Sequence, residues 1–228
     1  MAFDLVLASG SPRRRELLGR FGVPFRIIAT DAEEQEHAPE SIVAQLPPLD
    51  LPLHDHPTLR AWRKADAVQA QAPNSTILAA DTIVVADRAV LNKPESVDHA
   101  IMMLQQLSGR PHTVYTGVVL IDPAIGTHLE LVASQVWVAA IDETTIRSYV
   151  ATREPLDKAG SYGIQGLGGQ LVQSVEGSYT NVVGLPVVTV QHLLAKAGIA
   201  AAVDPEALYY AWLRDQGKEP MSCPPTFP

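Results

Sequence analysis

Two long β-like runs, Thr113 to Asp122 and Leu129 to Ala140, flank the turn Asp122-Pro-Ala-Ile-Gly126, and this pattern of an antiparallel pair constrains the fold most. The other apolar segments alternate in type. Leu5 to Ala8, Phe25 to Ala29, Ile77 to Val85 and Leu171 to Val175 read as strands, and Asp87-Arg88 as a turn into Ala89-Val-Leu91. A first helix buries Leu17, Leu18 and Phe21, and a second runs from near Thr58 through Lys64 to Ala70. Ser96 opens a third with Ile101, Leu104 and Leu107 on one side, ended by Ser108-Gly109. Asp142 caps a fourth that ends near Ala151, and another spans about Leu185 to Ala197. Antiparallel pairs with flanking helices imply an α/β or α+β class with a mixed sheet.

Three consecutive cations, Arg13 to Arg15, stand where the first strand turns into the first helix. Ser9-Gly10 allows a sharp turn, Ser11 can cap the helix, and Pro12 suits its first turn. Free N–H groups and the positive helix end then point with the arginines, a geometry suited to phosphate. The bland alternative is a solvated helix face. The net charge of −8 argues against wholesale binding to nucleic acid or an anionic membrane, so any anionic ligand is small and met locally. With 228 residues the chain suffices for one large domain or two closely packed lobes. No apolar run approaches a membrane span, Met1-Ala-Phe-Asp4 leads straight into a strand without a signal peptide, and Cys223 is the sole cysteine; a cytoplasmic protein is expected. Gln45 to Pro57 holds four prolines and no periodicity, a loop or insertion whose His54-Asp55-His56 reads as surface rather than a metal site. The glycines of 163–169 are not in dinucleotide-fingerprint order.

Asp81 sits within the apolar run Ile77 to Val85, where a buried charge must be paired, metal-bound or neutralised. An edge position facing water is the other possibility. Glu33 and Glu34 could join Asp81 around a hard divalent cation. A third signal is the alternation of glycine with polar and aromatic residues from Glu154 to Gly166, followed by Glu176 to Pro186. Such loops are costly to order and commonly bind a ligand.

Taken together, Ser9-x-Ser11-Pro-Arg13-Arg14, Ala80-Asp81-Thr82, Lys93-Pro94, Leu107-Ser-Gly109-Arg-x-His112-x-Val-x-Thr116-Gly117, Asp157-Lys-Ala-Gly-x-Tyr-Gly-Ile-Gln165-Gly and Asn181-Val-Val-Gly-Leu-Pro186 resemble the Maf family of nucleoside triphosphate pyrophosphatases. The pieces occur in family order over about residues 5 to 195. The resemblance implies an α/β, inosine-triphosphatase-like (Maf/Ham1-type) fold: a long mixed sheet with flanking helices and two lobes around a nucleotide cleft. It places one such domain over 1–198, with the proline-rich insertion at about 45–57; the C-terminal helix and tail over 199–228 have no counterpart in the family pattern, and the residues there read as one amphipathic helix, Pro205 to Arg214, with Leu208, Tyr209 and Trp212 on an apolar face that could serve dimerisation. The resemblance also implies hydrolysis of a nucleoside triphosphate to monophosphate and pyrophosphate, a divalent metal (Mg²⁺ or Mn²⁺), and a homodimer.

Residue by residue, the resemblance makes Asp81 the general base and sets Glu34 with Asp81 at the metal. It assigns Ser9, Ser11, Arg13, Arg14, Lys64 and Lys93 to the phosphates, with Lys158 a further cation on a matched segment. Arg13, Thr82 and Gln165 resemble the branch that prefers dTTP and UTP. Uracil and thymine offer an N3–H donor beside carbonyl acceptors, which one glutamine amide can satisfy, whereas cytosine would mismatch it. The Glu34-to-Lys64 spacing exceeds the family pattern by about the length of the insertion. A second reading is a nucleotide-binding regulator linked to cell division with little turnover.

Overall fold

A computed structural model of the chain describes residues 4–32 and 38–200 and positions 204, 206, 207, 210 and 214. Its strands are β1 (Leu5–Leu7), β2 (Arg26–Ile27), β3 (Thr76–Ala86), β4 (Ala89–Leu91), β5 (Pro111–Asp122), β6 (Gly126–Val138) and β7 (Val172–Glu176). They form one mixed sheet in the order β2-β1-β3-β5-β6-β7, with β4 on β3. β1 is parallel to both β2 and β3, while β3/β4 and β6/β7 are antiparallel. The helices are α1 (Pro12–Gly19), α2 (Glu40–Val43), α3 (Pro57–Gln69), α4 (Val97–Leu107), α5 (Glu143–Ala151), α6 (Tyr179–Val183) and α7 (Val187–Lys196). The α/β class with a mixed sheet is thus observed. The helix expected near 205–214 and the apolar face of Leu208, Tyr209 and Trp212 lie outside the described residues, apart from helical Glu206, Ala207, Tyr210 and Arg214.

The chain divides into two compact units. The first comprises Met1–Asp81, Thr116–Val132 and Gly184–Leu208. Its core joins Val6 and Ala8 of the β1 segment, Ile77 and Ala79 of β3, and Val119 and Ile121 of β5 to Leu59, Ala61, Trp62, Ala65 and Val68 of α3. Leu46, inside the expected insertion, packs on this core. The insertion is mostly irregular, with one 3₁₀ turn at Leu53–Asp55.

In the second unit, comprising Thr82–Tyr115, Ala133–Val183 and Tyr209–Pro228, α4 buries Ile101, Leu104 and Leu107 as its periodicity predicts, and packs beside α5. Both helices start on side-chain caps: Ser96 Oγ accepts the His99 N–H at 3.1 Å, and Asp142 Oδ1 that of Thr145 at 2.8 Å. Asn181 donates its amide to the Val114 carbonyl (3.0 Å) and to Ser134 Oγ (2.9 Å), which explains the asparagine of the last motif structurally.

Three expectations need correction. Ser11 occupies the cap position of α1 but makes no side-chain cap bond; Ser9 Oγ instead accepts the Ser11 N–H at 3.2 Å. The helix expected from Leu185 starts at Val187, because Pro186 disfavours helical backbone at Leu185, and α6 forms separately before it. His56 is no surface residue: it is 4% exposed and caps α3.

Candidate active site

Strand alternation puts Ile77, Ala79 and Asp81 on one face of β3. Ile77 and Ala79 meet the apolar residues of α3, so the next side chain on that face reaches the same helix beyond its apolar contacts. There it meets cations. Lys64 Nζ lies 2.6 Å from Asp81 Oδ1 and Arg60 Nε 3.3 Å from Oδ2. Arg60 and Lys64 stand four residues apart, which places both on one side of α3. Asp81 is 7% exposed and Lys64 6%, so the buried carboxylate is matched by charge on both oxygens and does not face water. Its partner comes from α3, not from Lys93, the cation closer in sequence.

The start of α3 is pinned in three ways. His56 Nδ1 accepts the Thr58 N–H at 3.2 Å while its Nε2–H donates to the Pro47 carbonyl at 2.9 Å. The Thr58 hydroxyl donates to the Glu130 carbonyl at 3.1 Å. Gly117 of β5 lies so close that a Cβ there would fall on the Thr58 backbone. These contacts hold the helix that presents Arg60 and Lys64.

At the first corner, Ser9 is buried, and its Oγ accepts from the Ser11 N–H and from Arg14 Nη1 at 3.4 Å. Arg14 Nε donates to the Gly184 carbonyl at 2.8 Å, joining the first and last motifs within this unit. Arg13 is half-buried and makes no hydrogen bond or ion pair to another described residue; Arg15 is exposed. Ser9, Arg14, Lys64 and Asp81 therefore all belong to the first unit, with Arg14 and Lys64 already engaged.

The second unit carries Thr82, Lys93, Lys158 and Gln165. Thr82 is half-buried and, as the next residue on β3, faces away from Asp81. Lys93 is exposed, without hydrogen bond or ion pair to another described residue. The adjacent Asn92 carbonyl accepts the Gly160 N–H at 3.3 Å, tying this turn to the glycine-rich segment. Lys158 donates to the Glu154 carbonyl and to Asp157 Oδ1, both at 2.6 Å. Half-buried Gln165 lies on the loop beyond.

Glu33 and Glu34 lie outside the described residues, which contain no group of three or more His, Cys, Asp or Glu able to hold a metal. An all-protein cage is thus not present among the described residues. Mg²⁺ characteristically uses one or two carboxylates together with substrate phosphates and water, and Asp81 fits that mode as a single donor. Arg60 was not singled out from the sequence, although its four-residue spacing from Lys64 is the signal for it. Glu154, whose carboxylate organises the glycine-rich loop, carried no signal beyond its place in a motif.

One mixed sheet thus carries a buried acid held by two cations, with a corner of three arginines in the same unit. The Maf family pattern, described as Maf-like protein, matches residues 4–197. The chain is 47% identical to a dTTP/UTP pyrophosphatase of Moorella thermoacetica, over 86% of this chain and 95% of that protein. It is 46% identical to the dTTP/UTP pyrophosphatase of Shigella boydii, over 84% and 92%, and 44% identical to that of Vibrio cholerae, over 84% and 97%. The chain belongs to the Maf family. Among solved structures, the Ham1 protein of Staphylococcus aureus aligns with 60% of this chain and 72% of its own at 16% identity and a TM-score of 0.39.

Proposed function

We propose that this protein is a nucleoside triphosphate pyrophosphatase that hydrolyses dTTP and UTP to the monophosphate and diphosphate. The observation that carries this reading is the set of relatives bearing that name, similar over most of both chains. The geometry of Asp81 supports it, because a carboxylate buried between Lys64 and Arg60 is held in one place.

In the reaction, Asp81 takes a proton from the attacking water as its oxygen bonds to the α-phosphorus, the bond from that phosphorus to the bridging oxygen breaks, and diphosphate leaves. A triphosphate brings about four negative charges, which Arg13, Arg14, Lys64 and Lys93 are assigned to meet, with Ser9 and Ser11 at the turn. Arg13 and Lys93 suit this role because no ion pair with another described residue competes for them. Lys64 and Arg60 orient Asp81 in the resting protein. A bound divalent cation would neutralise phosphate oxygens and polarise the scissile group, held by Asp81, with Glu34 as a second donor. Gln165 is assigned to read the N3–H and a carbonyl of uracil or thymine, and Thr82 and Arg13 are the further residues assigned to base selection. We further assign the protein to the cytoplasm as a homodimer. No helix among the described residues is long and apolar enough to cross a membrane.

The test is diphosphate release from a panel of nucleoside triphosphates with and without Mg²⁺ or Mn²⁺. Metal-dependent release from dTTP and UTP, with little from CTP or GTP, is expected. Nucleotide binding without turnover across the panel would favour the regulator.

A further inference from the structure

Gln165 sits on a loop anchored by buried Tyr162 and Ile164, and polar contacts fix its backbone further. The Leu167 N–H donates to Glu154 Oε2 at 2.9 Å, and the Gly168 N–H to Oε1 at 3.2 Å. The Tyr149 hydroxyl donates to the same Oε1 at 2.9 Å while accepting the Gly163 N–H at 3.0 Å. The Tyr179 hydroxyl donates to the Ile164 carbonyl at 3.1 Å, and the Gly166 N–H returns to the Gly163 carbonyl at 3.1 Å. Backbone groups on both sides of Gln165 are held, and the largest share of the bonds converges on one carboxylate.

The glycines fit the same account. A Cβ on Gly166 would fall on the Glu154 carboxylate, one on Gly168 on the Tyr149 hydroxyl, and one on Gly163 would come 2.6 Å from Lys158 Cε. These three positions lack side chains because the loop closes onto Glu154, Tyr149 and Lys158. Burial pushes the Glu154 carboxyl upward, but the Leu167 and Gly168 N–H groups, the Tyr149 hydroxyl and the Lys158 charge outweigh it and hold it below the usual carboxylate range.

We infer that Glu154 is a positioning residue for nucleobase selection: by holding the backbone of 163–168, its carboxylate sets where the Gln165 amide is presented. The inference rests on the reading of Gln165 as the base-selecting residue. Two-point recognition by an amide needs both its oxygen and its NH2 in register, so a small slip of the loop loses one bond and with it the discrimination against cytosine. A glutamine at 154 could accept from one loop N–H, but would turn its NH2 toward the other and forfeit the charge-assisted bonds.

The test compares Glu154→Gln, Tyr149→Phe and Gln165→Ala in the full chain, reading kcat/KM for dTTP and CTP and amide hydrogen exchange over 163–168. In Glu154→Gln the dTTP-to-CTP ratio should fall about tenfold or more, by loss on dTTP, with exchange at Leu167 and Gly168 accelerated by a similar factor. Tyr149→Phe should move both readouts the same way by less, since Glu154 remains to hold Leu167 and Gly168. A ratio that collapses in Gln165→Ala but survives in Glu154→Gln overturns the inference alone. A ratio unmoved in both overturns the Gln165 reading and the inference with it. Should Glu154→Gln fail to fold, Tyr149→Phe decides, and an unmoved ratio there overturns the inference.

Discussion

The α3/β3 region and the loop from Glu154 to Gly168 both place polar side chains, by opposite means. In the first, two packed regular elements carry Arg60, Lys64 and Asp81, whose positions follow from strand alternation and helical spacing over a shared apolar core. In the second, short turns that bury Pro155, Tyr162 and Ile164 are gathered around the Glu154 carboxylate by hydrogen bonds to backbone. A group set on packed elements is coupled to global stability. One set on a loop can shift locally while the domain stays folded. In the proposed function, chemistry is assigned to the packed elements and base selection to the loop.

The largest effect that could break this contrast is at Asp81. Asp81→Asn should cut kcat about 10²- to 10⁴-fold, the range for a general base, with a smaller change in KM. Steady-state kinetics on folded protein checks it, and full turnover would remove Asp81 from the base role. Next comes the ion pair. Lys64→Met leaves a buried carboxylate short of one partner, a change that costs about 3–5 kcal/mol when no other charge remains; Arg60 is still beside Oδ2, so the lower end is expected. Denaturant unfolding of Lys64→Met, Asp81→Asn and the double variant measures the coupling. The double variant should lose less than the sum, whereas additive losses would mean that the pair does not couple.

A third prediction concerns the loop side. His112 is 3% exposed, its Nε2 lies 2.8 Å from the Tyr162 hydroxyl, and burial holds its pKa down at about 4. In the unfolded chain the imidazole takes a proton near pH 6.5, so its contribution is complete above that pH and is lost as pH falls toward 4, up to roughly 3 kcal/mol. Asp4, held near 2 by hydrogen bonds from Arg26 and Ser75, acts only in more acidic solution. Unfolding free energy measured from pH 7 to 4.5 should slope downward, and His112→Phe should flatten that slope; an unchanged slope sinks the assignment.

Regular elements were legible because their signals are local. The hairpin β5–β6, α4 with its Ser96 cap and α5 with its Asp142 cap follow from periodicity and capping chemistry. The need of Asp81 for a partner was also legible, since a carboxylate in an apolar run demands one. Which cation answers was not, because the meeting of α3 with β3 is set by tertiary packing between segments far apart in sequence. Glu154 was opaque for a different reason: a carboxylate bonded to loop N–H groups obeys no periodicity, and its neighbours spell only a motif. His56 was misread because a proline-rich segment offers no pattern from which burial can be inferred.

The smallest predicted effect tests whether that segment belongs to the α3/β3 region. The Nε2–H of His56 must donate, because the Pro47 carbonyl can only accept, so Nδ1 is left as the acceptor that caps α3 at the Thr58 N–H. Burial lowers its pKa against smaller backbone contributions, so the stability that the neutral imidazole contributes is complete above about pH 6.5, where the unfolded chain titrates, and declines as pH falls toward the lower folded value, below which a proton on Nδ1 faces the Thr58 N–H. His56→Ala should cost about 1 kcal/mol, as loss of an N-cap does. It should also lower kcat a few-fold, because the loosened turn lies just before Arg60 and Lys64. His56→Asn, which restores a capping acceptor, should recover most of both. A loss of stability with kcat untouched would separate the cap from the site and place the proline-rich segment outside the α3/β3 region; a joint loss rescued by asparagine would include it.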